Sequence, residues 1–136
     1  MNPKDMTDQQ LNLKLARMCG YEEISEQEDM WVRKQRNDYK GKGVVVLYGD
    51  HYVIRSGGEC RDWSPCTDYN AAHEVQAVAL KADWVAYFTA VQELMYGEGT
   101  DFAEHFYRII DMLNARPRHL SEAAYMTLQE VSTHET

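Results

Sequence analysis

Residues 62–80 read Asp-Trp-Ser-Pro-Cys-Thr-Asp-Tyr-Asn-Ala-Ala-His-Glu-Val-Gln-Ala-Val-Ala-Leu. This stretch decides how the two halves of the chain meet. Trp63-Ser64-Pro65 is a turn, because proline fixes φ. Asp68 is a stronger helix cap than Thr67, since the helix-forming run Tyr69-Asn70-Ala71-Ala72 follows it directly. Ala72, Val75 and Ala79 form a narrow apolar stripe, broadened by Ala71, Val78 and Leu80. A turn leading into a capped helix is therefore expected.

Upstream of the turn lies β-type sequence. Val44-Val45-Val46-Leu47-Tyr48 is β-branched and bounded by glycines, and His51-Tyr52-Val53-Ile54-Arg55 reads as its return. Gly49-Asp50 supplies a two-residue turn, giving a hairpin over 44–55. Ser56-Gly57-Gly58 reads as its end. A lone hairpin is not stable, so a partner is required. The segment near 30–33, around Trp31, is the expected third strand. It lies in a loop that is acidic over 22–29 and basic over 33–42.

Further upstream, Thr7-x-x-Gln10 fits a capping box. Leu11, Leu15 and Met18 then share one face until Gly20 stops a helix of about residues 8–19. Downstream, Trp84, Phe88, Val91 and Met95 repeat at helical spacing. Gly97 and Gly99 break that run. Thr100 opens another helix, ending near Arg116-Pro117, and Ser121 precedes a last one. The expectation is a single α+β domain over 1–136. It has a small antiparallel sheet, an N-terminal helix and about four C-terminal helices. Residues 1–6 and 132–136 read as disordered.

The 136 residues carry a formal net charge of −8. From Ala82 to Thr136 there are nine carboxylates against three arginines, a balance of −6. Such a surface repels nucleic acid and attracts basic protein patches, although it also serves solubility. The cations of 33–42 interleave with Trp31 and Tyr39, a composition that suits single-stranded nucleic acid. The overall charge argues against direct nucleic-acid binding. Three cysteines, an odd number, with no apolar leader read as free thiols in a reducing cytosol. No run approaches the ~20 apolar residues of a membrane span.

Chemistry was sought among the side chains. Cys60, Cys66, His51 and His73 are four nitrogen or sulfur donors, but Cys60-x5-Cys66 is not a zinc knuckle and no second cysteine pair exists. Cys66 precedes a helix N-terminus, which favours a thiolate, but His73, the candidate base, lies seven residues on and no oxyanion geometry is evident. Asp62, Asp68 and Glu74 are candidate acids; Asp68 is most simply a cap and Glu74 a solvated helix residue. Gly41-Lys42-Gly43 and Ser56-Gly57-Gly58 are too short for phosphate loops. A nucleotide stacked on Trp63 or Tyr69 competes with plain packing of those rings.

Three blocks together carry a family resemblance: LNLKLARMCGYEEI (11–24), DWSPCTDYNAAHEV (62–75) and RPRHLSEAAYMTLQE (116–130). In this order they resemble small proteins of tailed bacteriophages and prophages that carry the phage ABA sandwich domain. The resemblance implies a sandwich with a small antiparallel sheet between helices. It carries over no catalytic residue and no cofactor.

The expected function is a non-enzymatic phage or prophage accessory protein in the host cytosol. It would bind and modulate a host protein, for example as an inhibitor of a bacterial defence system of the anti-CRISPR kind. Its partner-facing acids would be Glu93, Glu98, Asp101, Glu104 and Asp111. A ligand or partner site is expected at Asp62, Trp63, Asp68, Tyr69 and His73. The alternatives are a nucleotide-sequestering protein and a homo-oligomeric component using the Trp84–Met95 stripe. No metal, cofactor or membrane partner is expected.

Overall fold

The computed structural model describes residues 2–35, 39, 41–97 and 115–134. The fold is α+β. Its first helix, α1 (Asp8–Met18), starts as its sequence dictates. Thr7 Oγ1 accepts from Gln10 N at 3.1 Å while the Gln10 side chain accepts from Thr7 N at 2.9 Å. Leu11 and Leu15 are its inward apolar pair.

A four-stranded sheet follows, in the spatial order β1-β2-β3-β4: β1 (Glu22–Ile24), β2 (Val44–Tyr48), β3 (His51–Ser56) and β4 (Glu59–Trp63). The β2–β3 hairpin forms where expected, with Tyr48 opposite His51 and Val44 opposite Arg55. The strands added to it differ from expectation. β1 runs parallel to β2, so the sheet is mixed rather than antiparallel. Ser56-Gly57-Gly58 does not end the sheet. Gly57, at φ 58°, turns the chain into β4, which pairs antiparallel with β3.

No third strand lies at 30–33, because α2 (Glu26–Gln35) occupies it. Ser25 Oγ accepts from Glu28 N at 3.0 Å and opens the helix. Glutamates in its first turn and Arg33 and Lys34 in its last suit the helix dipole. This helix is the crossover that a parallel β1–β2 pair requires.

Side chains alternate across the sheet, so its two faces are distinct. Val45, Tyr52, Ile54 and Trp63 join the main core with α1, α3 (Tyr69–Tyr96) and α4 (Pro117–His134). Val44, Val46 and Val53 are buried on the opposite face, where α2 reaches Tyr48 and Arg55 through Asp29. The sheet is thus covered by helix on both sides. Gly43 immediately precedes β2 at φ 141°; a Cβ there would lie 2.6 Å from the Arg55 carbonyl oxygen, so a side chain is excluded by backbone.

Asp68 caps α3 as read, accepting from Asn70 N and Ala71 N, both at 3.3 Å. The two helical runs read before and after residue 83 join end to end across Asp83. That residue is extended (φ −162°, ψ 90°) and recaps the second run by accepting from Ala86 N at 3.1 Å. α4 starts earlier than expected. Proline is well tolerated at the first helical position, so Pro117 opens the helix. Ser121 lies within it, buried, donating to the Pro65 carbonyl oxygen at 2.7 Å.

Residues 2–6 are folded, not loose. Pro3–Asp5 form a short 3-10 helix, and Pro3 and Met6 are buried. Arg118 holds them, donating to the carbonyl oxygens of Pro3 and Met6 at 2.6 and 2.8 Å and to Asp8 at 2.6 Å. Residues 132–134, expected to fray, continue α4. The helix expected from Thr100 to about 113 lies outside the described residues. No helix among the described residues is long and apolar enough to cross a membrane.

Candidate functional site

The Trp63 turn is bolted to α1. The indole N–H of Trp63 donates to the Asn12 carbonyl oxygen at 2.8 Å, and the ring is only 1% exposed. The Tyr21 ring meets it edge-on at 5.6 Å, and the Arg61 guanidinium lies 5.7 Å from its centre. Asn12 also accepts from Cys66 N at 3.1 Å through its side chain. These contacts leave no open face on Trp63 for a ligand.

The five residues expected to form a site there separate. Trp63 is core, and Asp68 is spent as a cap. Asp62 projects from the opposite face of β4, exposed, 3.9 Å from His51 Nε2. Only Tyr69 and His73 stay together, exposed on one side of α3 with ring centres 5.8 Å apart. A recess of about 230 Å³ does lie beside this turn, lined by Asp8, Asn12, Asp50, His51, Trp63 and Ser64 among others. Its charged lining is two carboxylates and no lysine or arginine, which opposes a phosphate-bearing ligand.

Cys66 lacks the setting of an activated nucleophile. Burial pushes its thiol up to about 12, outweighing the nearby Arg118 cation. A helix N-terminus favours a thiolate only where the sulfur keeps some solvation, and this sulfur is enclosed. His73 is exposed, while Cys66 is buried among Asp8, Arg118 and Ser121. Cys60 is exposed on β4, apart from the buried Cys66. Among the described residues no group of three or more His, Cys, Asp or Glu is placed to hold a metal.

The buried charges are used for architecture. Asp29 is fully buried between α2 and the sheet, accepting from Tyr48, from Tyr39 at 2.5 Å and from Arg55 Nε at 2.8 Å. Burial alone would raise its carboxyl, but the tyrosine hydroxyls and Arg55 together hold it below the usual carboxylate range. A second node joins Tyr21, Glu74 and Arg61. Arg61 donates to Glu74 at 2.6 Å and to the Tyr21 hydroxyl at 2.8 Å, which itself donates to Glu74 at 2.7 Å. Glu74, read as a solvated helix residue, is therefore a tie between β4 and α3.

An open surface is found elsewhere, between the second run of α3 and α4. There a groove of about 340 Å³ is lined by Ala86, Thr89, Ala90, Glu93, Met126, Thr127 and Glu130. Thr89 donates to the Val85 carbonyl oxygen at 2.8 Å, and Thr127 to that of Ala123 at 2.9 Å. Both hydroxyls are thus satisfied within their own helices. The floor is alanine, threonine and methionine, and both carboxylates of the lining are glutamates. Glu93 was expected to face a partner, and it lies here. Glu98, Asp101, Glu104 and Asp111 lie outside the described residues. The groove itself was not foreseen; Ala86 and Ala90, one helical turn apart, were its sequence signal.

Compared with protein-family models, curated proteins and solved structures, the chain matches none of them.

Proposed function

We propose that this chain is a non-enzymatic phage or prophage accessory protein of the ABA-sandwich kind, acting in the host cytosol by binding a basic surface of a host protein. Inhibition of a bacterial defence system is the form this would take. The observation that carries the reading is the α3–α4 groove. It sets Glu93 and Glu130 beside a floor of alanine, threonine and methionine, in a segment whose balance is −6. A basic partner would gain steering from the field and affinity from the floor. Helix on both faces of the sheet supports the family resemblance, and the architectural use of Cys66, Asp29 and Glu74 supports a binding role over catalysis.

The test is affinity capture of host proteins on the purified chain, at low and at moderate salt. A specific host protein is expected on the wild-type chain, weakened by salt and lost with Glu93→Lys. Failure to retain any host protein at either salt overturns the reading.

A further inference from the structure

β4 is the last strand of the sheet, and among the described residues nothing pairs with its outer edge. Ser56 and Glu59 flank the Gly57-Gly58 turn, so Glu59 directs its backbone N–H and C=O at β3. Alternation then directs those of Cys60 and Asp62 outward. An open edge of this kind is a template for another strand, and chains commonly blunt it with bulges, prolines, like charges or shortness. β1, at the other edge, is blunted: it is Glu22-Glu23-Ile24, short and acidic. β4 runs from Glu59 to Trp63 in unbroken register with β3, without proline and with charges of both signs.

Those charges select the strand that fits. Glu59 and Arg61 lie on one face of β4 with Trp63, and Cys60 and Asp62 on the other. If two copies of β4 run antiparallel about a two-fold axis through Cys60, each Glu59 stands opposite Arg61 of the other copy. The outward groups of the two Cys60 residues then meet as a hydrogen-bonded pair. Moving the axis by one residue sets Arg61 against Arg61 or Glu59 against Glu59. Among the described residues Glu59 is exposed and carries no ion pair. The Arg61 side chain, bound to Glu74 at 2.6 Å, is still 38% exposed. We propose that β4 pairs with β4 of a second copy of this chain in this register, joining the two sheets into one. The same patch serves on both copies, so the assembly closes at two. No residue of the α3–α4 groove takes part.

Sedimentation velocity of the purified full chain tests this without any host component. The edge of one strand is a small interface, so mass should move from one chain at about 10 µM to two at about 500 µM. Glu59→Arg and Arg61→Glu each set like charges together at both pairs, and each should weaken dimerisation about tenfold. Mixing those two variants makes both pairs complementary again, so the mixture should dimerise where neither variant does alone. Asp62→Pro removes an outward N–H without touching the bonds to β3, and should weaken the dimer by about the same factor. Circular dichroism on each variant checks the fold. Glu59→Arg, at an exposed and unpaired position, remains a test should either of the others unfold. The paired Cys60 Cα atoms would lie about 5.5 Å apart. Dibromobimane, which bridges only neighbouring thiols, should therefore join two wild-type chains through Cys60, since Cys19 and Cys66 are buried. The proposal is overturned by a wild-type chain that stays single at the higher concentration, or by Glu59→Arg dimerising like wild type. It is equally overturned by a dimer that dibromobimane does not bridge at Cys60.

Discussion

Asp29 of α2 and Arg55 of β3 meet at 2.8 Å beneath a helix that buries nothing else. The contact between this helix and the sheet therefore includes a buried ion pair, and it responds to the charge on one carboxylate. Two tyrosine hydroxyls complete the cage.

Asp29→Asn should cost about 3–5 kcal/mol at neutral pH, because it leaves Arg55 largely buried without its counter-charge. Urea unfolding at pH 7 measures it. The folded carboxyl lies below its unfolded value, so its contribution is fully present above about pH 4 and is lost as pH falls through the folded value. The gap between wild type and variant should stay constant from about pH 5 upward and shrink in stronger acid.

Trp63 and Tyr69 stand six residues apart in one stretch and should behave oppositely. Trp63→Ala empties a fully enclosed volume and should cost about 3–5 kcal/mol. Tyr69→Ala, at an exposed ring, should stay within about 0.5 kcal/mol. Thermal melts of both variants, with and without a nucleotide panel, check this. No nucleotide should raise the melting temperature of the wild type, since the recess beside Trp63 presents carboxylates.

The three thiols should separate cleanly by reactivity. Cys60 is exposed, while burial pushes Cys19 up to about 11 and Cys66 up to about 12. Iodoacetamide at about pH 8 should modify one cysteine in the native chain and all three in denaturant. Mass spectrometry of the digested product identifies the site. Fast native labelling of Cys66 would contradict its enclosure.

The helical ends were legible because their signals are local. The Thr7–Gln10 box, the Asp68 cap and the hairpin turn at Gly49 each depend on residues within four positions. β1 and β4 were not legible, since Glu22-Glu23-Ile24 and Glu59-Cys60-Arg61-Asp62-Trp63 lack the apolar alternation of a strand. They are held by pairing to β2 and β3, which is long-range information. α2 did carry a local signal, Ser25-x-x-Glu28 followed by Asp29 and Arg33 at i, i+4, masked by its clustered charge. The expected site at Trp63 failed for the same long-range reason. Its partner atom, the Asn12 carbonyl oxygen, lies 51 residues away. The groove needs two helices that sequence spacing cannot bring together.

Arg118 joins the Asp8 carboxylate and the Pro3 and Met6 carbonyls across more than a hundred residues. On a ribosome, residues 3–8 emerge more than a hundred residues before their guanidinium clasp arrives. Until then Pro3 and Met6 have no anchor, and Leu11 and Leu15 lack the α4 side of their packing. Residues 3–8 are thus made long before they can be secured. A nascent chain stalled before residue 118 should expose the α1 surface to chaperones.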